Sequence, residues 1–266
     1  MAPDPGAWPA GVTSPDNAVS TIMATKRRGS YRALNREVGR ALVKYSMMDD
    51  GDRILVGVSG GKDSIALLWT LAERQQRSPI AYRLFPVHID PGFPGGFGDA
   101  LQAQCRDMGL TLRVENTDYG SVAHSTENRE NPCFLCSRLR RKRLFEIAHE
   151  LGCRKVALAH TKDDIIETFF MNICYAGEVS TMLPAQPFFK GLITVIRPLA
   201  FAEEGLIRRF VRQNGLRTFQ NPCPSAKRSK RAEIKWLLEK LYHSNPKIKG
   251  NVFRAMHHVK LDYLLK

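Results

Sequence analysis

The sequence predicts an α/β protein built on a doubly wound parallel sheet, with a helix before it and a helical extension after it. Three observations carry this expectation. Short branched-apolar runs alternate with helix-compatible segments between residues 53 and 214. The first run is joined to its helix by a glycine-rich turn. Finally, 266 residues with 43% hydrophobic content suffice for one full core, so one α/β domain with appendages is expected rather than two equal domains.

Residues 1–20 are rich in Pro and Gly and lack periodicity, which predicts a flexible tail. Over 21–50, Tyr31, Leu34, Val38, Leu42 and Tyr45 recur at three and four residues, the stripe of an amphipathic helix. Its other face is basic, with Lys26, Arg27, Arg28, Arg32 and Arg36. The α/β domain is expected over 51–220, with strands at 53–58, 83–89, 111–114, 155–159 and 192–197. Helices are expected at 65–71, 99–108, 138–151, 163–175 and 203–214, and a basic helical extension over 221–266. In such sheets ligands collect at the carboxyl ends of strands, near the point where the strand order reverses. Ser59, Asp90 and His160 stand at three of those ends.

Forty Lys and Arg against 26 Asp and Glu leave a formal charge of +14, which favours polyanions such as nucleic acid. A solvated basic face satisfies the same composition. No stretch approaches the roughly 20 apolar residues of a membrane-spanning helix. No apolar signal segment stands near the first residue either, so a cytoplasmic protein with no membrane partner is expected. Six cysteines are few for a disulfide-stapled secreted chain, and Cys105, Cys153 and Cys174 fall in apolar or helical patterns that predict plain buried thiols.

Ser59-Gly60-Gly61-Lys62-Asp63-Ser64 lies between the first strand and its helix, where backbone N–H groups and a helix N-terminus can cradle phosphate. Two glycines permit close approach, Lys62 adds charge, and Ser59 and Ser64 add hydroxyl donors. A Walker A loop would require Ser or Thr after the lysine, and Asp63 stands there instead. The segment resembles the SGGxDS signature of the PP-loop family, whose members cleave ATP between the α and β phosphates to form an adenylate and pyrophosphate. A carboxylate beside phosphates makes electrostatic sense with Mg²⁺ between them, and the resemblance places Asp63 as its partner; a helix-capping Asp is the alternative.

Ala159-His160-Thr161-Lys162-Asp163-Asp164 resembles the second motif of that family, also at a strand end. The resemblance makes Asp163 or Asp164 a Mg²⁺ partner or substrate positioner and His160 an organiser. Asp163 and Glu167 share one helical face by spacing, while Asp164 projects differently. Asp90 in His88-Ile89-Asp90 is a weaker candidate for contact with ATP.

Cys133-Phe134-Leu135-Cys136 is expected in a Pro-containing loop entering a basic helix, and Cys223 follows Asn221-Pro222 ahead of another basic run. Arg138, Arg140–Arg143, Lys227, Arg228, Lys230 and Arg231 are expected to stabilise thiolates there. Zinc takes four protein ligands and no second CxxC follows Cys223, since Ala226 occupies the equivalent position. Three thiolates suit a 4Fe-4S cluster with one open iron. Together the four motifs resemble the tRNA 2-thiocytidine-synthesising subfamily of PP-loop proteins, over residues 30–245. The resemblance implies ATP, Mg²⁺ and a 4Fe-4S cluster on Cys133, Cys136 and Cys223. It also implies a tRNA partner, a sulfur donor such as a cysteine desulfurase, and an ATP-dependent tRNA sulfurtransferase activity. A homodimer is compatible with the sequence. The implied chemistry is adenylation of a base carbonyl, with Lys62 and Mg²⁺ stabilising pyrophosphate, then displacement of AMP by sulfur. An adenylating amide- or lysidine-type ligase without sulfur chemistry is the alternative.

Overall fold

The computed structural model describes residues 29–225 and 230–263. The expected tail, Lys26–Arg28 of the basic face, and Ala226, Lys227 and Arg228 lie outside the described residues. Six strands form one sheet in the order β3-β2-β1-β4-β6-β5. They are β1 (Asp52–Gly57), β2 (Tyr82–Asp90), β3 (Arg113–Asn116), β4 (Lys155–Ala157), β5 (Ala185–Phe188) and β6 (Ile193–Ile196). All neighbouring pairs are parallel except β5 with β6. The strand order reverses between β1 and β4, so their carboxyl ends open a crevice.

Alternation along β1 explains how both faces are covered. Ile54 and Val56 point into one buried cluster, and Leu55 into the other. The first cluster takes α2 (Lys62–Gln75), α3 (Gly98–Asp107) and α7 (Glu204–Gln213), with α1 (Gly29–Lys44) laid across them. Tyr31, Leu34, Val38 and Ala41 of α1 are buried, and Trp69 is edge-on to both Tyr31 at 5.7 Å and Phe210 at 5.1 Å. Burying Leu34 completely contributes about 2 kcal/mol. The second cluster takes α5 (Pro132–Glu150), preceded by the short α4 (Tyr119–Ala123). The chain's later helices, α8 (Lys230–Ser244) and α9 (Ile248–Ala255), pack on α6 (Lys162–Met171) around Ile166, α8 through Ile234 and Leu238 and α9 through Val252 and Phe253.

Several expectations are corrected. Strand β5 escaped prediction because its four residues show no alternation and contain Pro187, which an edge strand tolerates. The helix expected over 163–175 is α-helical only to Met171 and closes in a π turn, Asn172–Ala176. Cys105 and Cys153 are buried and burial pushes both thiols up to about 12, but Cys174 sits exposed in that π turn. The CxxC pair lies on the first two turns of α5 rather than in a loop. The overlooked signal is Asn131-Pro132, a capping side chain followed by the residue favoured at the first helical position.

Candidate active site

The turn after β1 is rigid. Gly60 has φ +80, and a Cβ there would lie 2.4 Å from the Phe97 ring, so only glycine fits. Its carbonyl accepts from Phe219 N at 2.9 Å. The buried Ser64 hydroxyl donates to Gly61 O at 2.9 Å and accepts from Ser59 N at 3.1 Å. Ser59 Oγ donates to it at 3.2 Å, so Ser64 braces the turn while Ser59 stays exposed at its tip.

This turn borders a cleft of about 710 Å³ between the ends of β1 and β4. Ser59, Gly61, Asp63 and Ser64 line it from one side, His160 and Asp164 from the other, and Arg140, Arg141, Arg197 and Arg231 around them. A slot of about 210 Å³ adjoins it, bounded by Ser59, Gly61, Asp90, Phe97, Arg140 and Phe219. Phe97 and Phe219 stack at 5.0 Å, a flat apolar wall. The arginines were missed as a group because they come from three separate segments: α5, the chain after β6, and α8.

Asp63 is the acid best placed for a cation. Burial raises its carboxyl, Lys62 works against that rise, and Asp164 and Glu204 add to it. Its Oδ1 is buried without a hydrogen-bond partner, an arrangement a bound divalent cation would satisfy. Lys62 departs from expectation, since it lines neither cavity. Its ammonium bonds Asp63 Oδ2 at 3.0 Å and Glu204 Oε1 at 3.1 Å. Burial alone would raise Glu204, but bonds from Lys235 and Lys62 hold it at about 2. Lys62 thus tethers the turn to α7, and it occupies the variable position of the SGGxDS pattern.

The two acids after β4 divide their roles. Asp164 closes a capping box, its Oδ2 accepting from Thr161 N at 2.8 Å. Its Oδ1 faces the cleft, 3.4 Å from Arg231 Nη1. That guanidinium also reaches Glu167 at 3.1 Å, so the shared face joins Glu167 to Asp164 rather than to Asp163. Asp163 does not line the cleft: its Oδ2 accepts from Glu204 N at 2.8 Å and its Oδ1 from Lys249 at 2.7 Å, joining α6 to α7 and α9. His160 is half-buried at the floor of the cleft, and desolvation with the neighbouring Arg197 holds it at about 4. Neutral, it accepts at Nδ1 from Arg197 Nε at 3.3 Å. Asp90 borders the adjoining slot, where its Oδ1 accepts from Gly92 N at 2.8 Å.

Two Asn-Pro-Cys units present the cysteines in the same way. Asn131 Oδ1 accepts from Cys133 N and Asn221 Oδ1 from Cys223 N, each at 3.0 Å. The three thiols converge. Burial raises Cys133, and the neighbouring Cys223 raises it further. Burial also raises Cys136, Arg140 lowers it, and Cys223 and Cys133 raise it. The expected electropositive stabilisation of thiolates is therefore outweighed at both residues. Arg143 is drawn away into bonds with Glu115, Glu146 and Glu150, and Arg138 pairs with Glu130. A single zinc with ~2.3 Å bonds draws its sulfurs to within about 4 Å of one another. Among the described residues no three His, Cys, Asp or Glu side chains are gathered to hold one ion. A cube of four irons holds its cysteine sulfurs farther apart, and three thiols that sense one another's charge without closing on a point fit it better.

A braced glycine turn at a sheet's reversal point, an acid pair across the crevice and ringing arginines define a nucleotide-binding site of the PP-loop class. A family model for the PP-loop domain matches residues 30–241. The tRNA-cytidine(32) 2-sulfurtransferase of Geotalea daltonii is 37% identical over 247 residues, covering 91% of this chain and 98% of that protein. The enzyme of the same name from Pelobacter propionicus is 38% identical over 240 residues, covering 88% of each. The U34-tRNA thiolase NcsA of Methanococcus maripaludis, solved with its [4Fe-4S] cluster, superposes with a TM-score of 0.72 at 23% identity, covering 89% of this chain and 80% of that one. The chain belongs to the PP-loop family and, within it, to the tRNA-cytidine(32) 2-sulfurtransferases. No helix among the described residues is long and apolar enough to cross a membrane.

Proposed function

We propose that this chain binds ATP on the Ser59–Ser64 turn and uses it to replace the 2-oxygen of a tRNA cytidine by sulfur. The observation that carries this reading is Arg140, which borders both the cleft of Asp63 and Asp164 and the slot beside the turn, and which also acts on Cys136. Phosphate chemistry and thiols thus meet across one side chain. The relatives' names support tRNA as substrate and a cytidine as target.

The base oxygen attacks the α-phosphorus of ATP, a new O–P bond forms, and pyrophosphate leaves. Sulfur at the sulfide level then donates its electron pair to the activated carbon and loses its proton, the C–O bond breaks, and AMP carries the oxygen away. Amides of the turn hold the pyrophosphate. Arg140, Arg141 and Arg231 attract the remaining phosphates. Neutral His160, fixed by Arg197, orients the base without taking a proton at ordinary pH. Mg²⁺ held by Asp63, with Asp164 across the cleft, would offset the charge growing on pyrophosphate. A 4Fe-4S cluster on Cys133, Cys136 and Cys223 would supply the site at which sulfur is carried.

Anaerobic purification tests the reading. Brown protein with about four irons and four sulfides per chain, tRNA-dependent AMP release and 2-thiocytidine in the digested tRNA are expected. A colourless preparation that releases AMP at full rate on tRNA but incorporates no sulfur would replace thiolation with the ligase alternative.

A further inference from the structure

We infer that Arg197 is the centre of a phosphate-binding site at the β5 end of the cleft, and that it takes the RNA phosphodiester next to the target cytidine, an inference that rests on the tRNA-thiolation reading above. Arg197 directly follows β6 and lines the cleft, yet it is only 7% exposed. Its Nε donates to His160 Nδ1 at 3.3 Å, its Nη1 to Leu183 O, and its Nη2 to Gln186 Oε1 at 3.3 Å. All three acceptors are neutral. No carboxylate among the described residues pairs with it, whereas Arg231 in the same cleft is held by Asp164 and Glu167.

The charge that acts on Arg197 is another cation. Burial first and Arg141 second bring the guanidinium down to about 10, so it stays charged at ordinary pH with nothing to balance it. A cation withdrawn from water without an opposite charge is strongly unfavourable. An arriving oxyanion relieves that penalty, and the site is already formed for one. Three bonds fix the guanidinium plane, and one N–H on each Nη remains to meet an anion.

Position and substrate chemistry select which anion that is. Strand β6 lies two strands from β1 in the sheet, about 10 Å away. The bonds to Leu183 and Gln186 hold the guanidinium towards β5, away from the turn that cradles pyrophosphate. The phosphates of ATP are served by that turn and by the arginines of α5 and α8. Cytosine and ribose are uncharged, so the phosphodiester is the anion that the target nucleotide brings, and a base swung into the cleft draws its linkage with it. The site therefore favours a nucleotide within an RNA strand over a free nucleoside.

The test measures binding of the full chain, without ATP, to tRNA assembled with one neutral methylphosphonate linkage on the 5′ or the 3′ side of the target cytidine. In wild type one of the two neutral linkages should weaken binding about tenfold, the share of one charge-assisted contact. Arg197→Gln should weaken binding of unmodified tRNA by a similar factor and lose its sensitivity to that linkage, so the two changes fail to add. Arg197→Met should do the same, which decides the matter if the glutamine variant folds poorly. A merely structural arginine would leave the two penalties additive. Wild type that binds both neutral linkages as tightly as native tRNA overturns the inference whether or not the variants fold. So does a penalty that survives in either variant, or a loss that falls on ATP affinity rather than on RNA. Wild type with no affinity for tRNA at all overturns the thiolation reading itself and the inference with it.

Discussion

Replacing Gly60 by alanine separates two costs that the structure makes calculable. The residue sits at φ +80, where an L side chain costs about 1–2 kcal/mol. The new methyl would lie 2.4 and 2.8 Å from two atoms of the Phe97 ring and 3.3 Å from Phe219 Cβ. Phe97 cannot swing away freely, because it stacks on Phe219 at 5.0 Å and leans on His88 at 5.2 Å. Relieving such overpacking costs about 1–3 kcal/mol. Gly60→Ala should therefore lose about 2–5 kcal/mol of a total that for most domains is only about 5–15. If the turn yields rather than the ring, its amides shift, and a displacement near 1 Å lowers AMP release about 100-fold. Urea unfolding reads the first quantity, and tRNA-dependent AMP release per folded molecule reads the second. In a Phe97→Leu background the steric share should shrink and the backbone share of about 1–2 kcal/mol persist. A loss below about 0.5 kcal/mol with wild-type AMP release would refute the steric account of the turn.

Asp163→Ala should cost about 1–3 kcal/mol of stability, because it strips Glu204 N and Lys249 of their partner, yet leave AMP release within about twofold. Asp164→Ala should lower AMP release at least about tenfold, and the reverse ranking would return Asp163 to the site. His160 ionises at about 4 when folded against an ordinary 6.5. Between those values the unfolded chain takes up a proton that the folded protein refuses, so stability falls as pH drops from 6.5 towards 4, by up to about 3 kcal/mol. His160→Gln should flatten that slope in urea titrations across the window, and an unchanged slope would refute its assignment to His160. A basic groove of about 620 Å³ between α1, α7 and α9, lined by Arg40 and Arg254, is expected to hold tRNA phosphates. The Arg40→Ala, Arg254→Ala double variant should reduce the slope of log affinity for tRNA against log salt by about 1–2. A slope equal to wild type would move the RNA elsewhere.

Much of the candidate site was legible in the sequence because its motifs are local. Ser59 to Ser64 is one unbroken string, and a strand followed by a glycine turn and a helix can be arranged in few ways. The same locality located His160 and the acid pair after β4. It did not reveal which acid faces the crevice, since that depends on partners far away in the chain: Glu204 and Lys249 draw Asp163 outward, and Arg231 holds Asp164 inward. Nor did it reveal the direction of Lys62, which Glu204 on α7 sets.

The residues by themselves determined the alternation of strands and helices, the glycine turn and the three candidate cysteines, because hydrophobic period, turn chemistry and motif spacing are short-range properties of the chain. Tertiary structure alone decided where charge is spent. It consumed Arg143 in an acidic network, left Arg140 between turn and thiols, and brought Arg231 of α8 to Asp164 of α6. Such meetings depend on how helices from different segments pack on one sheet, and no local pattern encodes that contact.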